Sequence, residues 1–424
     1  MAASSGFSVR KALKQPFLLF CFFVSGATSL ALETAWSKEL SYLLGNDLYG
    51  AATTIIAYMG GLGFGAWLAA RYYHRVKSPL ATYALLQILI GAFGLISISM
   101  LRSLHPFMAL VHGLPGGTGV FLATRLVITF LTLLPATTLM GMTLPIVLGA
   151  YNNQRDRMAA HAGRLYGSNT FGALAGALLA GLILIPHWGL QLSCIRVALL
   201  DLVLALLLFA FDLWYKKAEK SEEPTATKTT VSTKEKGIPL GQGLEIRLSY
   251  ALIGAVALGL ELCWFRLLSP VIGPTTQAFS ITLAVYLLGT AAGSTCASPI
   301  VGRVSPKKSY PVILALAGIA AVTPLFYLEH LPSWYKSLWS ASEGQGTRIE
   351  LLLAQSVQAC ALIFPGTFAL GAAFPLAVDA LSKRVESRVT PSVLAANLFY
   401  WNTFGAVVGT ISWGFFIIPQ WGVN

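Results

Sequence analysis

Residues 31–40 read ALETAWSKEL, and residues 259–268 read GLELCWFRLL. Each stretch sets a carboxylate, a tryptophan and a cation in one order: Glu33, Trp36 and Lys38, then Glu261, Trp264 and Arg266, 228 residues further on. The echo runs outward from there. Gly45, Gly61 and Gly65 return at the same offset as Gly273, Gly289 and Gly293. Pro135, Gly141 and Pro145 return as Pro365, Gly371 and Pro375. Asn169-Thr-Phe-Gly172-x-x-x-Gly176 returns as Asn402-Thr-Phe-Gly405-x-x-x-Gly409, and Pro186-x-Trp188-Gly189 as Pro419-x-Trp421-Gly422. Matches in chain order with a slowly drifting offset are the mark of a duplication.

The repeated unit is apolar. Of 424 residues, 55% are hydrophobic and 11% charged, and the mean hydropathy is +0.68. A soluble domain carries about 25% charged residues. Surface-to-volume scaling does not provide a core for so much apolar surface in a soluble chain of this length. Soluble enzymes, disordered chains and fibrous proteins are therefore excluded. Runs of about 20 apolar residues identify a polytopic, all-α membrane protein. They fall near 16–36, 48–70, 80–101, 117–142, 164–186 and 190–214, and then near 248–269, 275–299, 310–328, 350–382 and 392–420. Between the sets, residues 218–242 are rich in Thr, Lys and Glu and too polar to bury themselves. The expected organisation is a first repeat of six helices (1–217), a polar linker (218–242) and a second repeat of five (243–424), about eleven spans in all.

Lys and Arg in short loops orient such a chain. One side collects Arg10, Lys11, Lys14, Arg71, Arg75, Lys77, Arg155, Arg157, Arg164, Lys216, Lys217, Arg303, Lys307, Lys308, Lys383, Arg384 and Arg388. The other holds Lys38, Arg102, Arg266 and Lys336. This alternation accounts for the net charge of +12. It puts the N-terminus and linker in the cytoplasm, the C-terminus opposite, and the protein in a bacterial inner membrane. Both repeats start on the same side, so they are parallel, the plan of the major facilitator fold. The second repeat ends at Asn424 where the first enters its sixth helix. The expectation is a missing twelfth helix, left by a shortened or processed form or filled by another membrane or soluble subunit.

The chemistry-bearing residues are few. Glu33 and Glu261 are ionisable groups within membrane helices, which are functional hypotheses by default. In a parallel bundle the first helices of the two halves line the centre. Two equivalent carboxylates beside Trp36 and Trp264 would suit a cation, through charge and cation–π attraction. The competing assignment pairs Glu33 with Lys38 and Glu261 with Arg266 at the membrane edge. Arg125 in the fourth run corresponds to Gln355, with Gln358 one turn on. Arg196 and Asp201 lie in the sixth run. Arg125 would pair with Glu33 or Asp201, and Asn169 and Asn402 would bond across helices or touch a ligand. Gly61/Gly65 and Gly289/Gly293 allow close helix approach, static or moving. Pro135, Pro145, Pro365 and Pro375 mark kinks or hinges. The five cysteines read as small buried hydrophobes. No nucleotide loop, protease or esterase signature, metal-ligand spacing or catalytic domain is present, so no cofactor, metal or nucleic-acid partner is expected.

The repeat resembles the membrane region of fused major-facilitator/spermidine-synthase proteins. The resemblance is carried by E-x-x-W-x-[KR], the glycine-rich second helix, the P-x9-P segment and N-T-F-G-A-x-x-G, and it covers residues 16–424. In that family a cytoplasmic aminopropyltransferase domain commonly follows, and its catalytic residues have no positions in this chain. The resemblance implies a transporter-like bundle with a central cavity for a polyamine or other organic cation. The alternatives are a membrane scaffold that anchors a partner enzyme or electron-transfer protein, or the membrane half of an aminopropyltransferase.

Overall fold

The computed structural model describes residues 2–45, 48–106, 117–151, 157–222, 238–239, 241–272, 276–330, 333–334, 336–337, 348–385 and 389–422. Most of the expected linker (223–237), Gly273, Arg155, Arg388 and Trp339 lie outside the described residues, as do the side chains of Arg10 and Lys11.

Among the described residues, eleven principal helices follow one another. They are α1 (Ala2–Leu44), α2 (Leu48–Tyr72), α3 (Pro79–Ser103), α4 (Gly117–Tyr151), α5 (Met158–Leu178), α6 (Ile185–Glu222), α7 (Leu244–Ile272), α8 (Thr276–Ala297), α9 (Pro306–Val322), α10 (Arg348–Ser382) and α11 (Pro391–Ile411). Among the described residues, nine segments are long and apolar enough to cross a bilayer; one of them, Met158–Lys217, holds both α5 and α6. In hydrocarbon every backbone polar group needs an internal partner, and the helix supplies it. Side-chain hydroxyls are absorbed in the same way, as in Thr34 to the Leu30 carbonyl (2.8 Å) and Thr367 to the Ile363 carbonyl (3.0 Å).

Several helices outrun their apolar cores. α1 extends well past 16–36, and α4 continues nine residues past 142 to Tyr151, through Pro145. Hydropathy marks the bilayer, whereas the helix ends where hydrogen bonding stops. α6 likewise runs to Glu222, into the expected linker.

The duplication is visible in fine detail. α5 leads into a π-helical turn at Leu179–Leu184, and α11 into another at Ser412–Ile417, the equivalent place. Five residues past each turn stands a glycine of positive φ, Gly189 (71°) and Gly422 (76°), and Gly189 kinks the path within α6.

Within each half, α1 packs on α5 and α2 on α4; equivalently, α7 packs on α11 and α8 on α10. The halves join along two seams related by the same pseudo-symmetry, α2 against α11 and α5 against α8. Glycines set the intra-half distances. A Cβ on Gly65 would overlap the Thr138 carbonyl, and one on Gly293 the Phe368 carbonyl. Asn169 donates to the Phe22 carbonyl (3.0 Å) and Asn402 to that of Tyr250 (3.2 Å), tying α5 to α1 and α11 to α7. Asn169→Ala should cost about 0.6 kcal/mol, the average for such bonds between membrane helices. A small fall in melting temperature is the expected readout; failure to fold would mean the bond organises more than two helices.

The cores differ between the two ends of the bundle. Where the basic loops gather, one continuous core crosses both halves, from Leu18, Phe22, Val147 and Leu165 to Tyr250, Phe374, Leu381 and Leu394. At the other end each half has its own core, around Trp36, Leu40 and Ile98 in the first and around Trp264, Leu268 and Ile363 in the second. There the halves meet through small clusters of α2 with α7 and the end of α11. The bundle is sealed at the basic end and split at the other. Cys21, Cys194 and Cys263 are buried as expected; Cys296 is exposed, a departure from the expected burial.

Candidate functional site

Glu33 on α1 and Glu261 on α7 come together between the halves, close enough for the charge of Glu261 to act on Glu33. Both lie deep in the bundle yet keep partial exposure. Two tyrosines accompany them with the same pseudo-symmetry. Tyr58 on α2 lies within electrostatic reach of Glu33, its hydroxyl turned to Met140 Sδ at 3.7 Å, and Tyr286 on α8, 228 residues on, lies within electrostatic reach of Glu261. Sequence reasoning missed this pair. The signal was present, since Tyr58 and Tyr286 share the offset of the Glu-x-x-Trp element, but tyrosines in an apolar run read as packing until the fold brings them near the carboxylates.

Among the described residues no cation lies within ion-pair distance of either carboxylate. Lys38 stacks over the Tyr42 ring at 5.1 Å, and Arg266 is exposed. The edge pairs Glu33–Lys38 and Glu261–Arg266 do not form. Arg125 is buried, 5.2 Å from the Phe121 ring, and joins neither Glu33 nor Asp201. Asp201 instead accepts from Thr28.

Aromatic rings lie beneath the carboxylates. Tyr166 of α5 meets Phe374 of α10 with ring centroids 4.6 Å apart, and Tyr250 of α7 approaches the same ring at 6.2 Å. This contact spans both halves and belongs to the continuous core at the sealed end. Carboxyl groups and tyrosines of both halves thus gather above the aromatic contact of the continuous core.

The remaining expected site residues lie elsewhere. Trp36 is 1% exposed and packs edge-on against Phe93 in the core of the first half. Trp264 packs in the second-half core with Val285 and Ile363. Gln355 and Gln358 are buried on α10. Gly61 and Gly289 lie against Thr137 and Thr367, so the small residues serve the α2–α4 and α8–α10 contacts. Pro135 and Pro145 sit within a continuous α4, and Pro365 and Pro375 within a continuous α10. A half-exposed ion pair that sequence reasoning passed over lies toward the split end, where buried Glu39 accepts from exposed Arg102 at 3.3 Å.

No family model matches the sequence. Over 207 residues, 48% of the chain, it is 27% identical to polyamine aminopropyltransferase 2 of Ralstonia nicotianae, a match that spans 36% of that protein. A polyamine aminopropyltransferase 1 of Streptomyces coelicolor is 23% identical over 195 residues, 46% of this chain and 34% of that one. The matched region spans about a third of the length of these curated relatives. A crystal structure of a bacterial homologue of the iron transporter ferroportin, outward-facing with soaked iron, aligns at a TM-score of 0.56 and 12% identity. It covers 96% of this chain and 92% of that one, and the likeness is one of fold alone. Two parallel repeats related by a pseudo-two-fold axis complete the case. The chain has the major facilitator fold. It resembles the membrane region of proteins in which such a bundle is joined to a polyamine-processing synthase.

Proposed function

We propose that this transporter-like membrane protein carries an organic polycation, a polyamine being the best fit, in the cleft between its halves. The observation that carries this reading is the pair of carboxylates, one from each half, without cationic partners among the described residues and within electrostatic reach of each other and of Tyr58 and Tyr286. A polyamine bears ammonium groups along an apolar chain. Each ammonium would meet one carboxylate, while the methylenes lie on tyrosine rings. Desolvated cation–π contacts add about 2 kcal/mol. Because each half supplies one carboxylate, a bound polycation would bridge the halves and favour closure of the split end. The aminopropyltransferase names of the sequence relatives support the substrate class, since those proteins handle polyamines by name.

A second reading rests on the length of those relatives. The matched region would be the membrane part of an aminopropyltransferase, passing polyamine to or from a soluble enzyme.

Calorimetric titration of spermidine into purified protein tests the first reading, beside the Glu33→Gln/Glu261→Gln double variant. Saturable binding that the variant loses is expected. No binding at millimolar spermidine would overturn the cation site and leave the second reading, with co-purification of a soluble partner as its test.

A further inference from the structure

A second polar cluster lies inside the first half, away from the central cleft. Asp201 on α6 is fully buried. Its Oδ1 accepts from the Thr28 hydroxyl of α1 at 2.6 Å, and its Oδ2 has no partner. Thr28 Oγ1 also lies 3.0 Å from the Ser25 carbonyl. On α3, Gln87 is fully buried with neither amide atom bonded. The face of α3 that carries Gln87 is fixed by its neighbours one turn away on either side. Tyr83 donates to the Cys21 carbonyl of α1 and lies within electrostatic reach of Asp201, while Gly91 packs on Ala198 and Leu202 of α6. Gln87 thus lies on the face of α3 that packs against α1 and α6, the helices of Thr28 and Asp201.

The fold does not demand these polar groups. Through the repeat, Ser25 and Thr28 correspond to Ile253 and Val256. With Ser78-Pro79 aligned on Ser305-Pro306, Tyr83 corresponds to Tyr310, Gly91 to Gly318, and Gln87 to Leu314. At these matched positions of α7 and α9 the second half carries apolar side chains and keeps only the tyrosine and the glycine. Among the described residues, no cation pairs with Asp201. An isolated buried carboxylate and an unbonded buried amide each cost several kcal/mol, and an apolar chain would avoid both.

We infer that Asp201, Thr28, Gln87 and the Ser25 carbonyl form a binding site for a monovalent metal cation, sodium by preference. The donors are oxygens, as a hard cation requires. The single carboxylate balances a single positive charge, whereas a divalent ion would leave an uncompensated charge in the bilayer. Gln87 turns its amide oxygen inward, and the free Asp201 Oδ2 supplies the anionic ligand. Thr28 lies five residues before Glu33 on α1, about 7.5 Å along the axis. Ion binding would hold the helix that carries one wall of the cleft. The ion site stands without the polyamine reading; only a coupling of the two rests on it.

Thermal unfolding of the purified protein in sodium chloride against choline chloride, at equal ionic strength, tests the site. A saturable rise of about 3 °C or more in sodium is expected. Asp201→Asn should abolish the rise. Because that variant risks misfolding, Gln87→Leu provides the second arm: it introduces the residue of the other half, and should fold at least as well in choline while losing most of the sodium response. Glu33→Gln/Glu261→Gln should keep the sodium response, which separates failure of this site from failure of the cleft. Equal melting in the two salts, or a sodium response that survives in folded Gln87→Leu and Asp201→Asn, would overturn the proposal.

Discussion

Gly65→Leu should lower the melting temperature by about 5 °C or more and cut the yield of folded protein, and Gly293→Leu should do the same. The cause is local and repeated. At Gly65 the space for a Cβ is already filled by the Thr138 carbonyl, and at Gly293 by that of Phe368. A carbonyl in a helix cannot swing aside as a flexible side chain can, so α2 must move off α4, or α8 off α10. Each shift breaks the reciprocal contact, Gly141 on Leu62 or Gly371 on Thr290. Overpacking costs about 1–3 kcal/mol where side chains can adjust, and more where backbone blocks the way. Gly318→Leu is the matched control. It too is a glycine inside an apolar helix, α9, but a Cβ there meets nothing within 4 Å. The higher helix propensity of leucine, about 0.8 kcal/mol, should leave that variant as stable as the parent or more so. Equal tolerance at Gly65 and Gly318 would mean that close approach of α2 and α4 does not support the bundle.

That contrast also marks how far the sequence reaches. Gly61, Gly65, Gly289 and Gly293 could be placed on their helices and assigned to close packing from spacing alone, because helical geometry is local and periodic. The same holds for the repeat, the helix count and the breaks at Gly189 and Gly422. The π-helical turns at Leu179–Leu184 and Ser412–Ile417 were not legible. Hydrogen-bond register there depends on packing around the turn, and the residues are ordinary apolar ones. The candidate site was half legible. Glu33 and Glu261 stand out because a carboxylate in hydrocarbon needs a reason. Trp36 and Trp264 were expected beside the cation from their nearness in sequence. A residue three along a helix lies only about 60° round from the first, however, and here that offset is enough to put both rings in the cores of their own halves. Tyr58 and Tyr286 come near the carboxylates from neighbouring helices, and only tertiary packing brings them there. Asp201 was expected to find an arginine, yet a hydroxyl on α1 lies closer than any cation.

Glu33→Gln and Glu261→Gln should each raise the melting temperature of the ligand-free protein while weakening spermidine about tenfold or more, and the double variant should bind too weakly to titrate. The opposite signs share one cause. Empty, the site holds two carboxyl groups in partial exposure with no described cation in reach, and burial together with their mutual repulsion disfavours the charged pair. Either single change removes that repulsion, so the first substitution should stabilise more than the second adds. Filled, the balance reverses. Each ammonium that loses its carboxylate is left desolvated against a neutral amide, and truncating one partner of a buried charge pair costs about 2–5 kcal/mol. A double-mutant cycle separates the two contributions: the coupling seen in melting temperature measures repulsion in the empty state, and the coupling seen in affinity measures how far one polycation spans both halves. A carboxylate that merely held the helices together would behave otherwise, its loss lowering stability and affinity alike. Gain of stability with loss of binding is the pattern of a site kept under strain for a ligand, and variants that lose both would assign Glu33 and Glu261 to the scaffold.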